Sequence, residues 1–170
     1  ITEENSEYFK KGNILWCGGD NAAVVEIVKS TIDDKGAKMF NVKGRTLEMF
    51  FTTRIIWGTY NASNKYASTA MYEVVNQNCV NPTNANRKIP YLECAEDKHI
   101  GDKISIQKTG GEVYATLDTI AASSDIGFNV LFRPKEKKLI FEVVAGVDRT
   151  IEQSEVDPVE FSTDLEDILS

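Results

Sequence analysis

The single histidine and two of the three cysteines are the first residues to test for chemistry. Cys94 and His99 lie close enough in the sequence for a thiol–imidazole pair, the arrangement used in nucleophilic catalysis. No motif around them supplies a third group to orient the imidazole, which favours a loop histidine near a half-buried thiol. A zinc site from Cys79, Cys94 and His99 lacks the closely paired cysteines typical of such sites. We therefore predict no catalytic residue and no metal ligand.

Two glycine pairs, Gly18-Gly19 and Gly110-Gly111, are the only candidates for phosphate-binding loops. Neither continues as GxxxxGK[ST] or GxGxxG, so we predict a turn at a strand end and a helix start, and no bound cofactor. No G-x-S-x-G nucleophile elbow occurs. A pair of carboxylates for glycoside hydrolysis stays open, because the distance between carboxylates is a property of the folded chain.

Four aromatic residues and one arginine have both a functional and a structural interpretation. Trp16, Trp57, Tyr60 and Tyr66 could line a sugar-binding face. Aromatics beside Val/Ile runs are more often packed in a core or interface, and we favour that. Arg149, after Asp148, is predicted to tie a strand end to backbone carbonyls or a carboxylate. A catalytic arginine is the alternative.

The charge of the chain is concentrated at one end. All 19 Lys and Arg residues lie at or before Arg149, and seven of the 26 Asp and Glu residues follow it. The net charge of −7 therefore belongs to the last residues of the chain. Nucleic-acid binding requires clustered positive charge, so we predict no nucleic-acid partner. No apolar run approaches the roughly 20 residues of a membrane span, and we predict no membrane insertion. Three widely spaced cysteines indicate reduced thiols.

Hydrophobic spacing predicts the elements that would position these residues. Alternation on both sides of a polar turn predicts a β-hairpin over 128–150. The first 43 residues read as a β-meander with a turn at 33–36, which Gly44 interrupts before a short helix bearing Leu47, Phe50 and Phe51. Residues 59–66 read as a polar linker. The remaining expectations are a helix over 65–79 capped by Asn64, a short strand around Ile104 and Ile106, and a helix over 112–124 ending at Gly127.

These elements predict an α+β fold. We expect an N-terminal β-meander, partly barrel-like, over 1–58 and an α/β portion with two helices and the C-terminal hairpin over 59–150. Residues 151–170 form an acidic tail, interpreted as either a docking arm or a solvated end.

The order of several short segments resembles the tail-hub proteins of long non-contractile-tailed bacteriophages and related prophages. The similar segments are Gly-Asn-Ile-Leu at 12–15, Val-Lys-Gly-Arg-Thr-Leu at 42–47, Thr-Arg-Ile-Ile at 53–56, Arg-Lys-Ile-Pro at 87–90, Gly-Val-Asp-Arg-Thr at 146–150 and Asp-Pro-Val-Glu-Phe-Ser at 157–162. The resemblance extends over most of residues 12–162. It is carried by the order and spacing of the segments, since each alone is weak.

The resemblance implies a structural, non-enzymatic subunit of the virion tail, assembled in the bacterial cytoplasm. Such a subunit forms a homotrimeric ring and links the tail tube to host-contacting tip proteins, so its implied partners are distal tail and tip proteins and further copies of itself. Two alternatives remain open from the residues: a tail-associated cell-wall or polysaccharide hydrolase, and a carbohydrate-binding module for host attachment.

Overall fold

The computed structural model describes residues 8–32, 36 and 38–146, and these form a mixed α+β fold. The eight strands are β1 (Ile14–Gly18), β2 (Asn21–Ile32), β3 (Lys38–Thr46), β4 (Thr59–Tyr66), β5 (Leu92–Cys94), β6 (Lys103–Thr109), β7 (Ile126–Arg133) and β8 (Lys138–Ala145). The two α-helices are α1 (Ala67–Val75), which continues as a π-helical turn over Asn76–Val80, and α2 (Val113–Ser123); 3-10 helices span Leu47–Thr53 and Ala85–Arg87. The α+β class is therefore confirmed.

The predicted N-terminal meander is present, but it is not a barrel. Strands β1, β2 and β3 form an open antiparallel sheet in that order. No closed barrel occurs among the described residues, and the partly barrel-like character of the N-terminal domain stays a prediction. Closing a barrel needs edge strands that pair with each other, whereas here β1 and β3 are both edges. The predicted turn at 33–36 lies almost wholly outside the described residues.

Gly44 was expected to interrupt the meander. Instead it lies inside β3 opposite Val25. A Cβ atom built on Gly44 would lie 2.3 Å from the carbonyl oxygen of Val24. The glycine is therefore required by a close approach of two backbones rather than by a turn. Thr46 then leads into the predicted short helix, which is the 3-10 helix whose Leu47 and Phe51 are buried.

The segment 59–66, predicted as a linker, is the strand β4. It pairs antiparallel with β6, which confirms the predicted strand around Ile104 and Ile106. Tyr60 and Ala62 are buried at alternate positions. Only this pair of inward side chains marks β4 in the sequence, and the polar residues that surround the pair hid the alternation. Asn64 has a φ of 52° within a register shift, so the prediction that it caps α1 is wrong.

Both predicted helices are present, with different ends. In α1 the apolar residues recur at helical spacing and are buried: Ala67, Ala70, Met71, Val74 and Val75. The first two amides of α1 donate to the carbonyl oxygens of Asp102 and Ile100, at 2.9 and 3.2 Å. In α2, Val113, Leu117 and Ile120 face the core. The prediction that Gly127 caps the C-terminus of α2 is wrong, since Gly127 lies in β7. Asp125 has the left-handed backbone conformation after the helix, with a φ of 49°.

The predicted C-terminal hairpin is confirmed for its described part. Strands β7 and β8 pair antiparallel from Ile126↔Ala145 to Arg133↔Lys138. The sequence does not predict β5, a strand of three residues that pairs parallel with β8. Asp148 and Arg149, and the acidic tail, lie outside the described residues.

The core joins these sheets and helices around Phe141 of β8. Phe141 is fully buried, and its ring meets those of Phe51 and Tyr72 edge-on at centroid distances of 5.4 and 5.5 Å. The same cluster includes Val24 of β2 and Leu117 of α2. Core residues thus come from both sides of residue 58. The predicted division into one domain over 1–58 and an α/β portion over 59–150 stays a prediction.

Replacing Gly44 tests the close approach of β2 and β3. We expect Gly44→Ala to lower the free energy of unfolding by about 2 kcal/mol, because its methyl group would overlap backbone atoms that cannot rotate away. The matched control is Gly127→Ala, also in a strand, whose Cβ would meet only a methyl group of Val144 at 3.3 Å. Urea unfolding measures the free energy of unfolding of both variants. An equal decrease in the two would contradict the requirement for glycine at position 44.

Candidate functional site

The only histidine belongs to a polar cluster at the N-terminus of α1. Asp97 accepts hydrogen bonds from the Ser68 hydroxyl at 2.7 Å, from the Thr69 hydroxyl and from the backbone amide of His99 at 2.9 Å. The Ser68 oxygen in turn accepts from the backbone amide of Ile100 at 3.0 Å. A carboxylate beside the first turn of a helix is stabilised by the helix dipole. The cluster fastens the loop before β6 to α1.

This cluster contains the residue types of a catalytic triad but not its geometry. His99 Nδ1 lies 2.9 Å from Asp97 Oδ2 and 3.1 Å from Thr69 Oγ1. In a triad the acid and the nucleophile contact opposite nitrogens of the imidazole, so that the acid orients the ring while the other nitrogen takes the proton of the nucleophile. Here both groups contact the same nitrogen. The arrangement supports hydrogen bonding within the cluster and no activated hydroxyl.

The cysteines are placed for packing. Burial raises the pKa of the Cys79 thiol to about 12 and that of the Cys94 thiol to about 11, so both are protonated and unreactive near neutrality. The recorded ring-nitrogen contacts of His99 are to Asp97 and Thr69 rather than to Cys94. Among residues 8–32, 36 and 38–146, no three His, Cys, Asp or Glu side chains are grouped to hold a metal ion.

Both glycine pairs lie in turns. Gly18 and Gly19 connect β1 to β2, with φ of 98° and 55°. Gly110 and Gly111 precede α2 with φ of 65° and 81°, and the carbonyl oxygen of Gly111 accepts from the amide of Ile56 at 2.9 Å. Positive φ explains why glycine occupies these positions.

The four aromatic residues singled out from the sequence divide into two groups. Tyr60 is buried, and its hydroxyl donates to Glu73 at 2.8 Å. Burial, reinforced by Glu73, raises its pKa strongly. Tyr66 stacks on His99 with ring centroids 5.5 Å apart. Trp16 and Trp57 are 59% and 65% exposed, so of the predicted packing in a core or an interface, the core is excluded for them and the interface stays a prediction.

The most distinctive surface surrounds the turn between β7 and β8. Two adjoining clefts share Phe132 and Pro134 as a common wall, and we call the whole surface the turn face. The first cleft, about 460 Å³, is bounded by Trp16 and the β1–β2 turn. The second, about 530 Å³, contains Tyr91, which is 70% exposed. Its other apolar residues are Ile14, Phe50, Ile89, Pro90 and Leu139.

The structure holds the aromatic residues of the turn face in place. The Trp16 indole N–H donates to the carbonyl oxygen of Gly19 at 2.9 Å, which orients its ring. The carbonyl oxygen of Asp20 accepts a hydrogen bond from the amide of Phe132 at 2.9 Å. The carboxylate of Asp20 forms an ion pair with Arg133. Tyr91 has a φ of 63° directly after Pro90, and its carbonyl oxygen accepts from Leu139 at 2.9 Å.

The rim of the turn face is basic. Five cationic side chains line the two clefts, against the carboxylates of Asp20 and Glu136: Arg54, Arg133, Lys135, Lys137 and Lys138. Lys138 pairs with Glu93 outside the clefts at 2.8 Å. An apolar floor with a cationic rim fits a partner surface that is apolar at its centre and acidic around it.

Sequence reasoning did not find the turn face. Tyr91 lies in a stretch without periodicity, and Trp16 and Phe132 belong to strands far apart in the sequence. The one available signal was the dipeptide Pro90-Tyr91, which marks a break in regular structure. The Asp97 cluster was missed because its members join only when the loop folds onto α1. None of the helices in the described residues has the length and apolar character of a membrane span.

Replacing Asp97 tests the cluster through the pH dependence of stability. Burial alone would raise the pKa of this carboxyl, but the hydrogen bonds from Thr69, Ser68 and the His99 amide outweigh it, and the pKa is lowered. A lowered pKa in the folded state stabilises the protein above the unfolded value of about 4, and this stabilisation is lost as pH falls below it. We expect Asp97→Asn to lower the free energy of unfolding near pH 7 by about 1–2 kcal/mol. The decrease of stability between neutral and acid pH should also become less steep in this variant.

The control is Glu96→Gln, which removes the neighbouring negative charge. Glu96 forms no hydrogen bond or ion pair among the described residues, so the unfolding curves of this variant between pH 2 and 7 should follow those of the unmodified protein. Equal slopes for the Asp97 variant and the unmodified protein would show that the carboxylate contributes nothing to folding.

Comparison with known protein families matches the chain over residues 1–170 to the family described as Siphovirus ReqiPepy6 Gp37-like protein. No curated protein and no solved structure shows a significant match. The match covers the whole chain and confirms the resemblance to tail-associated proteins of siphophages. The chain therefore belongs to the Siphovirus ReqiPepy6 Gp37-like protein family and is a siphophage structural protein.

Proposed function

We propose that the protein is a tail-hub or tail-tip subunit that links the tail tube to host-contacting tip proteins. The observation that carries this proposal is the turn face, where the ring of the exposed Trp16 is oriented by Gly19 and the exposed Tyr91 lies on a backbone held by Leu139. Rigid exposed aromatics with a polar rim are the usual composition of protein–protein interfaces. In this proposal the protein catalyses no reaction, and its neighbours are distal tail and tip proteins.

The turn face gives the proposal a partner of definite chemistry. Trp16 and Tyr91 supply two apolar anchors, one in each cleft, separated by the ridge of Phe132 and Pro134. Lys135 and Lys137 have no recorded ion-pair partner among the described residues and remain available to carboxylates. The partner surface is therefore expected to insert two apolar groups and to surround them with Asp or Glu.

Incorporation of variants into tails tests this assignment. The phage gene for this chain is replaced by a gene for the double variant Trp16→Ala, Tyr91→Ala. We expect about tenfold less of the variant protein in the tails, because loss of one interface anchor typically costs about 2 kcal/mol of binding free energy or more. The measurement is quantitative mass spectrometry of purified tails. Trp57→Ala serves as the control, since Trp57 is equally exposed but lies outside both clefts. Normal incorporation of the double variant would refute the turn face as the interface.

The same tails provide the copy number. We propose three copies per tail, because the resemblance to tail-hub proteins implies a homotrimeric ring, an assembly closed by cyclic symmetry. Calibrated peptide standards should give three copies of this chain per tail. A count of one or six would reject the trimer while leaving the turn face untouched.

The exposure of Trp16 and Trp57 favours a second candidate function, carbohydrate binding for host attachment. Flat aromatic rings accept the apolar faces of sugars, and Asp20 and Arg133 beside Trp16 offer hydrogen bonds to hydroxyl groups. Cell-wall polysaccharide of the host, titrated into the protein, should then change tryptophan fluorescence, and Trp16→Ala should abolish the change. No response at millimolar sugar would eliminate this candidate.

A further inference from the structure

A second surface lies between α2, the 3-10 helix over Leu47–Thr53, the end of β3 and the start of β7. It is a groove of about 940 Å³, larger than either cleft of the turn face, and it shares no lining residue with them. Strand β7 begins in this groove at Ile126 and ends at the turn face at Arg133. At about 3.3 Å per residue, the two surfaces are roughly 20 Å apart along one strand. We call this second surface the α2 groove.

The apolar lining of the α2 groove is anchored to the core. The ring of Tyr114 meets that of Phe128 edge-on with centroids 5.6 Å apart, and Phe128 packs against the buried Phe141 at 6.1 Å. Ala121 and Ala122 of α2, which have small side chains, line the same groove. Apolar groups that are ordered before a partner arrives lower the entropy cost of binding it.

The 3-10 helix contributes side chains to both surfaces. Met49 and Thr52 line the α2 groove, whereas Phe50 lines the second cleft of the turn face. Phe51, between them in the sequence, is fully buried in the core. One short helix thus fixes the α2 groove and the turn face relative to each other.

The charged residues that line the α2 groove are Arg45, Glu48 and Asp118. Arg45 is already paired, since it donates to both carboxylate oxygens of Glu26 at 2.8 and 2.6 Å. The carboxylate of Glu48 is oriented by the amide of Val130, which donates to it at 2.7 Å. Asp118 forms no hydrogen bond or ion pair with any residue that the structure describes. The groove therefore offers carboxylates to a partner, opposite in sign to the basic rim of the turn face.

These features define the chemistry of an occupant. An apolar group covers the aromatic lining, and a neighbouring cation meets Glu48 and Asp118. The residues of this chain that follow Arg149 include seven Asp or Glu and no Lys or Arg, so their charge has the wrong sign for this groove. A segment of another protein with Lys or Arg beside an apolar side chain has the right one.

We propose that the α2 groove binds a basic, apolar segment of a second tail protein, different from the protein bound at the turn face. This inference rests on the proposed linking role, because a subunit that links two proteins needs two contact surfaces. Opposite charges at the two surfaces direct each partner to its own site, since a partner that complements one surface is repelled by the other.

Photo-crosslinking within assembled phage particles tests the proposal. The crosslinking amino acid p-benzoylphenylalanine replaces either Thr119 or Glu136. Thr119 is exposed beside Asp118 on α2 and does not line the groove, so the groove stays open. Glu136 belongs to the turn face, and its replacement removes no cation from the rim. Mass spectrometry of purified tails should identify two different tail proteins, and the peptide joined at position 119 should contain Lys or Arg beside apolar residues.

Two variants test how the groove recognises its partner. Asp118→Lys reverses the charge of the rim and should lower the yield of the crosslink at position 119 about tenfold, because like charges then oppose each other. Ala122→Trp fills the groove without changing the charge and should lower the yield to a similar extent. The control is Glu96→Lys, the same charge reversal at an exposed residue outside the groove and the turn face, and it should leave the yield unchanged. Circular dichroism of the purified variants reports whether the fold is retained.

The outcomes separate this inference from the proposed function. A crosslink at position 136 with none at position 119, or a crosslink from 119 to another part of this chain or to a second copy of it, overturns binding at the α2 groove and leaves the turn face as an interface. Equal yields for Asp118→Lys and Glu96→Lys contradict recognition by charge. Failure of both positions to crosslink to any other tail protein overturns the linking role together with the groove.

Discussion

The packing of Phe141 is the interaction on which the remaining structure depends. Its ring is enclosed by Phe51 from the 3-10 helix and by Tyr72 from α1, and the hydroxyl of Tyr72 accepts from the amide of Val143 at 3.1 Å. One side chain thus aligns β8 with elements from the first and second thirds of the chain. Because β8 is the central strand between β5 and β7, this alignment also sets the positions of Tyr91 and Phe132.

The polar contacts fix the loops that the core does not reach. The loop before β6 has little apolar surface to bury, and it is held instead by hydrogen bonds from Ser68 and Thr69 to Asp97. Arg54 has the same role beside the turn face, where its Nε donates to the carbonyl oxygen of Arg87 at 2.7 Å. Buried polar groups stabilise a fold only when they are paired. Here the pairing places loops next to strands and leaves the aromatic residues between them exposed.

Exposure of rigid apolar groups connects the fold with its proposed role. A subunit of an assembly must keep its contact surface formed before its partner arrives, since ordering that surface on binding would weaken the complex. The ring of Trp16 is oriented by Gly19, and the backbone of Tyr91 is held by its hydrogen bond from Leu139. The end of the β2–β3 hairpin shows a second exposed apolar group, since Ile32 of β2 is 75% exposed.

The sequence by itself determined the α+β class, both helices, the meander and the C-terminal hairpin, because each repeats apolar residues at the period of its element. It also determined where the charge lies and, through the spacing of short segments, the resemblance to siphophage proteins. Only the tertiary structure decided that 59–66 is a strand, that Gly44 serves a close approach, and that Trp16 and Trp57 are exposed. These depend on contacts between residues far apart in the chain, which no local pattern records. The turn face belongs to the same class, since its residues become neighbours only when Phe141 aligns β8 with the rest of the core.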